Sequence, residues 1–233
     1  MPSTPPIAVA EPQALAGHEQ RPWKLCNSAV RKFVNSTVVL TVPDRIYWCN
    51  GSDYEHRRLE EQLISQREHD QLRAKQMPGA RYSIGLPVEM EAAHLCCGNP
   101  GGSCGPATRS VESAFARTEM RSLFKGCMRG RTLYIAPITL EITGQPCSAI
   151  LLTDSLELVL RRRQGCEVGN GPLRRLCNSQ DFIRCLHCTG DQQVTGSGLT
   201  CHFSDREVWA FGQTPPAEAA NCPQCVSLGL TCL

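Results

Sequence analysis

Two CxxC pairs are the sharpest local chemistry in this 233-residue chain: Cys185-Leu186-His187-Cys188 and Cys222-Pro223-Gln224-Cys225. Two such knuckles hold zinc tetrahedrally through four thiolates. The stretch between the pairs is longer than in common zinc ribbons, and a chain with 15 cysteines produces CxxC by chance. Buried small thiols are the plainer reading. A zinc site at Cys185, Cys188, Cys222 and Cys225 is the alternative. Cys and His also stand together at 185–188, but no third group can be named to orient them for nucleophilic catalysis. The six histidines show no HExxH spacing.

Other candidate chemistry has a plain structural counterpart. The run from Glu55 to Glu61 reads as a solvated helix face carrying i,i+4 pairs rather than a catalytic pair. Gly98–Gly105 is a Gly-rich loop without the Lys-Ser/Thr of a phosphate loop, and reads as a connector. Arg161-Arg162-Arg163 suits a helix C-terminus, with Gly165 as the stop signal. Asn35-Ser36-Thr37 and Asn50-Gly51-Ser52 match the glycosylation pattern, but no secretory leader precedes them. A transit peptide is disfavoured by early acidic residues. The expectation is a cytoplasmic chain whose thiols stay reduced, and an odd cysteine count argues against a closed disulfide framework. A net charge of +2 argues against a nucleic-acid or membrane surface, and no apolar run is long enough to span a bilayer. With 41% hydrophobic and 20% charged residues, the length permits one large domain, or one domain plus part of another.

The elements that would position these groups centre on Gly126–Ser155. Thr132–Ile135 and Ala149–Thr153 read as two strands, with a turn-rich connector carrying Pro137, Gly144 and Pro146. Residues 1–22 are predicted disordered, being rich in Pro and small residues. Ala29–Val34 supplies one or two helical turns, and Val38–Val42 is a separate β-branched run ending at Pro43. Arg45–Cys49 is a strand closed by the turn signal Asn50-Gly51-Ser52. A helix capped by Ser52 or Asp53 follows from Tyr54 to about Gln76, with Leu59, Leu63 and Leu72 near one face. Val111–Phe124 and Leu156–Arg163 are further helices. Asp181–His187 is a short buried segment, and Glu207–Phe211 a strand.

Several of these stretches, in order, resemble GTP-dependent phosphoenolpyruvate carboxykinase. Gly126-Cys127-Met128-Arg129-Gly130-Arg131-Thr132-Leu133-Tyr134-Ile135 is similar to that family's G-C-M-x-G-R-T-M-Y-V. Pro137, Gly144, Pro146, Ser148 and then Thr153-Asp154-Ser155 stay in step with it. Ile46–Ser52 with Glu55, Asp181–His187 and Glu207–Gly212 match three further family segments. The resemblance spans most of residues 29–233. It implies an α/β fold, a mixed sheet with flanking helices, as in that family's N-terminal domain. The implied organisation is a tail over 1–22, the N-terminal-like domain over 23–212, and a degenerate start of the catalytic domain over 213–233.

The implied reaction is gluconeogenic: oxaloacetate and GTP to phosphoenolpyruvate, GDP and carbon dioxide, with Mn²⁺ in the site and Mg²⁺ on the nucleotide. The residues that would carry it are not kept. Where the family has a substrate-approaching Tyr and glycines, this chain has Pro215, Pro216 and Ala217. Its metal-binding Lys position falls on Gln224, and its carboxylate-binding Arg position on Ala92. Two prolines remove backbone donors and fix φ where glycine was required. The chain also ends at Leu233, before the family's nucleotide-binding segments. The expectation is an inactive relative with no catalytic residues of its own, binding neither substrate nor GTP productively. The alternative is a non-catalytic binding or regulatory module, stabilised by zinc through the two CxxC pairs.

Overall fold

The computed structural model describes residues 26–76, 94–96, 109–142, 145–177, 179–190, 199–204 and 206–212. Helix α1 (Ser28–Thr41) is followed by β1 (Arg45–Trp48) and α2 (Asp53–Gln76). Strands β2 (His94–Cys96) and β3 (Arg109–Ser110) precede α3 (Ser113–Phe124). Then come β4 (Thr132–Ile142), β5 (Gln145–Thr153), α4 (Leu156–Gly165) and α5 (Asn170–Leu176). Strands β6 (Ile183–Cys188), β7 (Leu199–Ser204) and β8 (Glu207–Phe211) complete the described set. They form one mixed eight-stranded sheet in the order β1-β4-β5-β6-β8-β7-β2-β3. The expected α/β class, a mixed sheet with flanking helices, is what the chain adopts.

Side chains alternate across this sheet and feed two cores. Leu133, Ile135, Ile150, Leu152, Leu186, Trp209 and Phe211 face α1, α3 and α5 on one side. Tyr134, Ala136, Ile138, Ala149, Leu151, Ile183, Val208 and Ala210 face α2 and α4 on the other. On the first side Phe124 of α3 meets Trp209 and Phe211 edge-on, with centroids 5.5 and 5.4 Å apart. A strand buried on both faces needs a nearly continuous apolar run, which is why Ala149–Leu152 reads so clearly in sequence.

Two local expectations are corrected. The β-branched run Val38–Val42 is not separate from Ala29–Val34. Both belong to α1, capped by Asn27 Oδ1, which accepts from Val30 N at 2.9 Å. Val30, Phe33, Val34, Thr37 and Thr41 are buried along one stripe of that helix. Burial of a stripe outweighs the few tenths of a kcal/mol per residue by which β-branching disfavours helix. The helix ends at Val42, in left-handed conformation (φ 51°), just before Pro43.

Pro137 and Pro146 lie inside strands, not in a connector. Pro137 pairs with Ile150, yet its carbonyl points away from β5 and accepts from Gly169 N at 2.8 Å. A residue's N and O leave an extended strand on the same side. The missing N–H of Pro137 therefore falls beyond the end of β1, whose pairing with β4 stops at Ile135, and no ladder bond is lost.

Among the described residues, no helix is long and apolar enough to cross a membrane. The expected tail at 1–22 and the Gly-rich loop at 98–105 lie outside the described residues.

Candidate functional site

Strand directions decide where the polar residues collect. β5, β6 and β8 are mutually parallel, and β4 is antiparallel to β5. The C-terminal ends of β5, β6 and β8 therefore share one sheet edge with the N-terminal end of β4. Open α/β sheets place ligand sites at such carboxyl ends. Here the edge gathers Arg131, Asp154, Thr189, Gly190 and Gly212.

Asp154 is the hub. Its side chain is 1% exposed. It accepts from Arg131 Nη1 at 2.6 Å, Thr189 Oγ1 at 2.7 Å, Thr189 N at 2.8 Å and Cys188 Sγ at 3.4 Å. Arg131 Nη1 also donates to Thr189 Oγ1 at 3.1 Å and to the Gly190 carbonyl at 3.0 Å. Burial alone would lower the pKa of this guanidinium, but the hydrogen bond and charge of Asp154 outweigh it and raise the pKa. One carboxylate thus ties three strand ends together. Beside it, Thr153 Oγ1 and His187 Nδ1 lie 2.8 Å apart and share one hydrogen, while Ser155 N donates to Thr153 Oγ1 at 2.9 Å. Desolvation lowers the pKa of the half-buried His187, opposed by the charge of Asp154 and a backbone bond to Gly212.

A second polar cluster fills the opposite edge, beyond the C-terminal end of β1. Glu55 is 4% exposed. It accepts from Tyr47 OH at 3.0 Å, Asn50 N at 2.9 Å and Gly51 N at 2.8 Å. Burial raises its pKa, opposed by these donors and by Arg163. The reading of Glu55–Glu61 as a solvated face thus fails at its first residue: Glu55 turns inward to hold the Asn50–Ser52 loop, while Glu60 and Glu61 are exposed. Position 51 needs glycine. Its φ is +83°, and a Cβ there would lie 1.9 Å from the Val168 carbonyl oxygen. In the arginine triplet, Arg161 pairs with Glu157, and Arg163 donates to the Ser52 carbonyl and to Asp53. That is a helix-end arrangement, as expected.

The first CxxC pair does not form a knuckle. Residues i and i+3 of a strand point to opposite faces. Cys185 packs into the core beneath α2 and α4, whereas Cys188 packs into the other. Burial pushes the Cys185 thiol up to about 12. The Cys188 thiol is raised too, by its hydrogen bond with Cys127 and then by burial. Both are buried core thiols on opposite faces of the sheet, and with raised pKa values they are poor nucleophiles. Cys222 and Cys225 lie outside the described residues, as do Ala92, Pro215, Pro216, Ala217 and Gln224.

The described residues do not fit a divalent cation. No three His, Cys, Asp or Glu side chains converge, and Asp154 is already surrounded by donors. The chemistry of this edge is positioning: it holds a guanidinium and three strand ends in fixed relation. Sequence reasoning gave no role to Arg131, Asp154, Thr189 or His187. Arg131 and Asp154 flank the two strands of the longest motif, which is the signal that marks them.

Residues 32–231 match the family profile described as the phosphoenolpyruvate carboxykinase N-terminal domain. The chain is similar to the curated phosphoenolpyruvate carboxykinase [GTP] of Anaeromyxobacter sp. (strain K), 27% identical over 87% of this chain and 35% of that protein. The namesake from Corynebacterium jeikeium (strain K411) is 27% identical over 87% of this chain and 36% of its own length. That from Chlamydia pneumoniae is 28% identical over 88% and 37%. The chain spans about a third of the length of these curated relatives. A match over most of its residues, on a mixed sheet whose strand ends are tied through Arg131 and Asp154, shows that the chain belongs to the phosphoenolpyruvate carboxykinase family, as a divergent N-terminal domain.

Proposed function

We propose that this chain keeps the phosphoenolpyruvate carboxykinase N-terminal domain as a scaffold and does not itself convert oxaloacetate and GTP into phosphoenolpyruvate. The observation that carries this reading is the stretch directly after β8. It leaves the sheet at Gly212, on the same edge as Asp154 and Arg131. There, on the alignment that the resemblance implies, Pro215, Pro216 and Ala217 stand where the family has Tyr and glycines, and Gln224 where it has a metal-binding lysine. Proline supplies no N–H and holds φ near −65°. A backbone that must approach an anion through glycine amides cannot be rebuilt from such residues. The carboxylate-binding Arg position, occupied by Ala92, supports the same conclusion.

Phosphoryl transfer from a nucleotide relies on cations to hold developing charge. Asp154 is spent on Arg131 and Thr189, and no described cluster replaces the lost metal lysine.

The test is GTP-dependent formation of phosphoenolpyruvate from oxaloacetate by the purified chain, with Mn²⁺ and Mg²⁺ present and a cooperative thermal transition confirming the fold. The expected rate equals that of the no-protein control. Turnover above that control overturns the proposal.

A further inference from the structure

A groove of about 1170 Å³ lies between α1 and α3, over the sheet face at Leu186 and Trp209. Five cations line it: Arg31 and Lys32 from α1, Arg117 and Arg121 from α3, and Arg184 from β6. Glu207 is the only described acidic residue among its walls. The local excess is four positive charges, where the whole chain carries +2.

The cations fall into two groups. Arg117 holds Glu207 through two bonds of 3.0 and 2.8 Å and lies 4.2 Å over the Phe203 ring. Arg184 stacks 4.6 Å over Phe182. These two are held in place by those contacts. Arg31, Lys32 and Arg121 are exposed. Among the described residues, none of Arg31, Lys32, Arg121 and Arg184 has a carboxylate partner. Like charges gathered without counter-charges disfavour the fold slightly and raise the local concentration of anions.

The shape narrows the class of anion. The volume exceeds the roughly 300–1,000 Å³ of small-molecule pockets. The charges come from two helices and a strand, α1, α3 and β6. The wall follows α1 from Ser28 to Leu40, about 18 Å at 1.5 Å per residue. An extended peptide of five or six residues spans that length at about 3.3 Å each. Side chains of an extended peptide alternate, so every second one can face the rim cations. From this we propose that the groove between α1 and α3 docks an extended acidic segment of a partner protein, with every second residue acidic and facing the rim cations. This reading stands apart from the proposal about turnover.

The probe is a fluorescein-labelled octapeptide of alternating Glu and Leu, titrated against the full chain and followed by anisotropy. Saturable binding is expected, weakening as salt rises from 50 to 200 mM. The R31E/R121E double variant should lose at least tenfold in affinity, since it reverses two exposed charges. Its melting curve reports whether it folds. If it does not, Arg121→Gln alone takes its place, with a loss of about threefold. A control peptide with Lys for Glu should not bind. Absence of binding, an unchanged affinity in the variant, or equal binding of the Lys peptide overturns the proposal. So does competition by inorganic tripolyphosphate at the peptide's own potency, which would mark a small-anion site.

Discussion

Asp154→Asn is the most informative single change. The substitution keeps the size of the side chain but removes its charge and turns one acceptor oxygen into a donor. Asp154 receives three hydrogen bonds of 2.6–2.8 Å, from Arg131 Nη1, Thr189 Oγ1 and Thr189 N. An amide facing those donors leaves at least one of them unpaired. Breaking a fully buried ion pair from one side costs about 3–5 kcal/mol, because the remaining charge is stranded. Here the Asp154 side chain is 1% exposed but that of Arg131 is 35% exposed. Water reaches the guanidinium and takes up part of the loss, so about 2–3 kcal/mol is expected. At roughly 2–4 °C per kcal/mol for a chain of this size, the melting temperature should fall by about 4–12 °C.

Urea unfolding under reducing conditions measures the loss directly. The double-mutant cycle with Arg131→Met separates the pair from its surroundings, and a coupling of about 1–2 kcal/mol is expected. A loss below about 0.5 kcal/mol for Asp154→Asn, or additive single effects, would refute the claim that this carboxylate ties the strand ends together.

Gly51→Ala should cost about 2–4 kcal/mol. Its Cβ would press on the Val168 carbonyl at φ +83°, whereas Gly130→Ala, at φ +75° with open space around it, should cost only about 1–2 kcal/mol. Thermal melts of the two variants check the order, and equal losses would count against the close approach. His187 should make stability fall on acidification. Its folded pKa lies below the unfolded 6.5, so the unfolded chain takes up a proton first, and stability drops as pH falls through 6.5 toward the folded value. The urea midpoint should decline over that window, and His187→Gln should flatten the decline. Parallel curves for the two proteins would refute the assignment. Added zinc should not raise the melting temperature, because Cys185 and Cys188 face opposite cores. Stoichiometric zinc in the purified chain, lost in both Cys185→Ser and Cys188→Ser, would show the opposite.

Much of the fold was legible where one residue type forces one outcome. Arg45–Cys49, Glu207–Phe211 and the helix after Asp53 lie where apolar runs and caps place them. The misreadings occur where tertiary partners override local preference. Val38–Val42 looks like a strand because β-branching favours extended chain, yet Thr37 and Thr41 are buried on one side of a helix. Pro137 looks like a turn because it lacks an N–H, yet its N side faces a gap in the ladder. Glu55 looks solvated because its neighbours are, yet three donors from Tyr47, Asn50 and Gly51 wait inside.

The candidate site divides in the same way. The resemblance alone carries the proposal that positions 92, 215–217 and 224 are substituted, where proline cannot donate and alanine carries no charge. It also marks the motif that begins before Thr132 and ends at Asp154-Ser155. It does not say that Arg131 meets Asp154, or that Cys185 and Cys188 part to opposite faces. Those facts need the order and direction of strands. Antiparallel pairing of β4 with β5 brings the start of one beside the end of the other, and the two-residue period of β6 sends its two thiols into separate cores. Chemistry per residue is local, but which residues meet is set by the sheet.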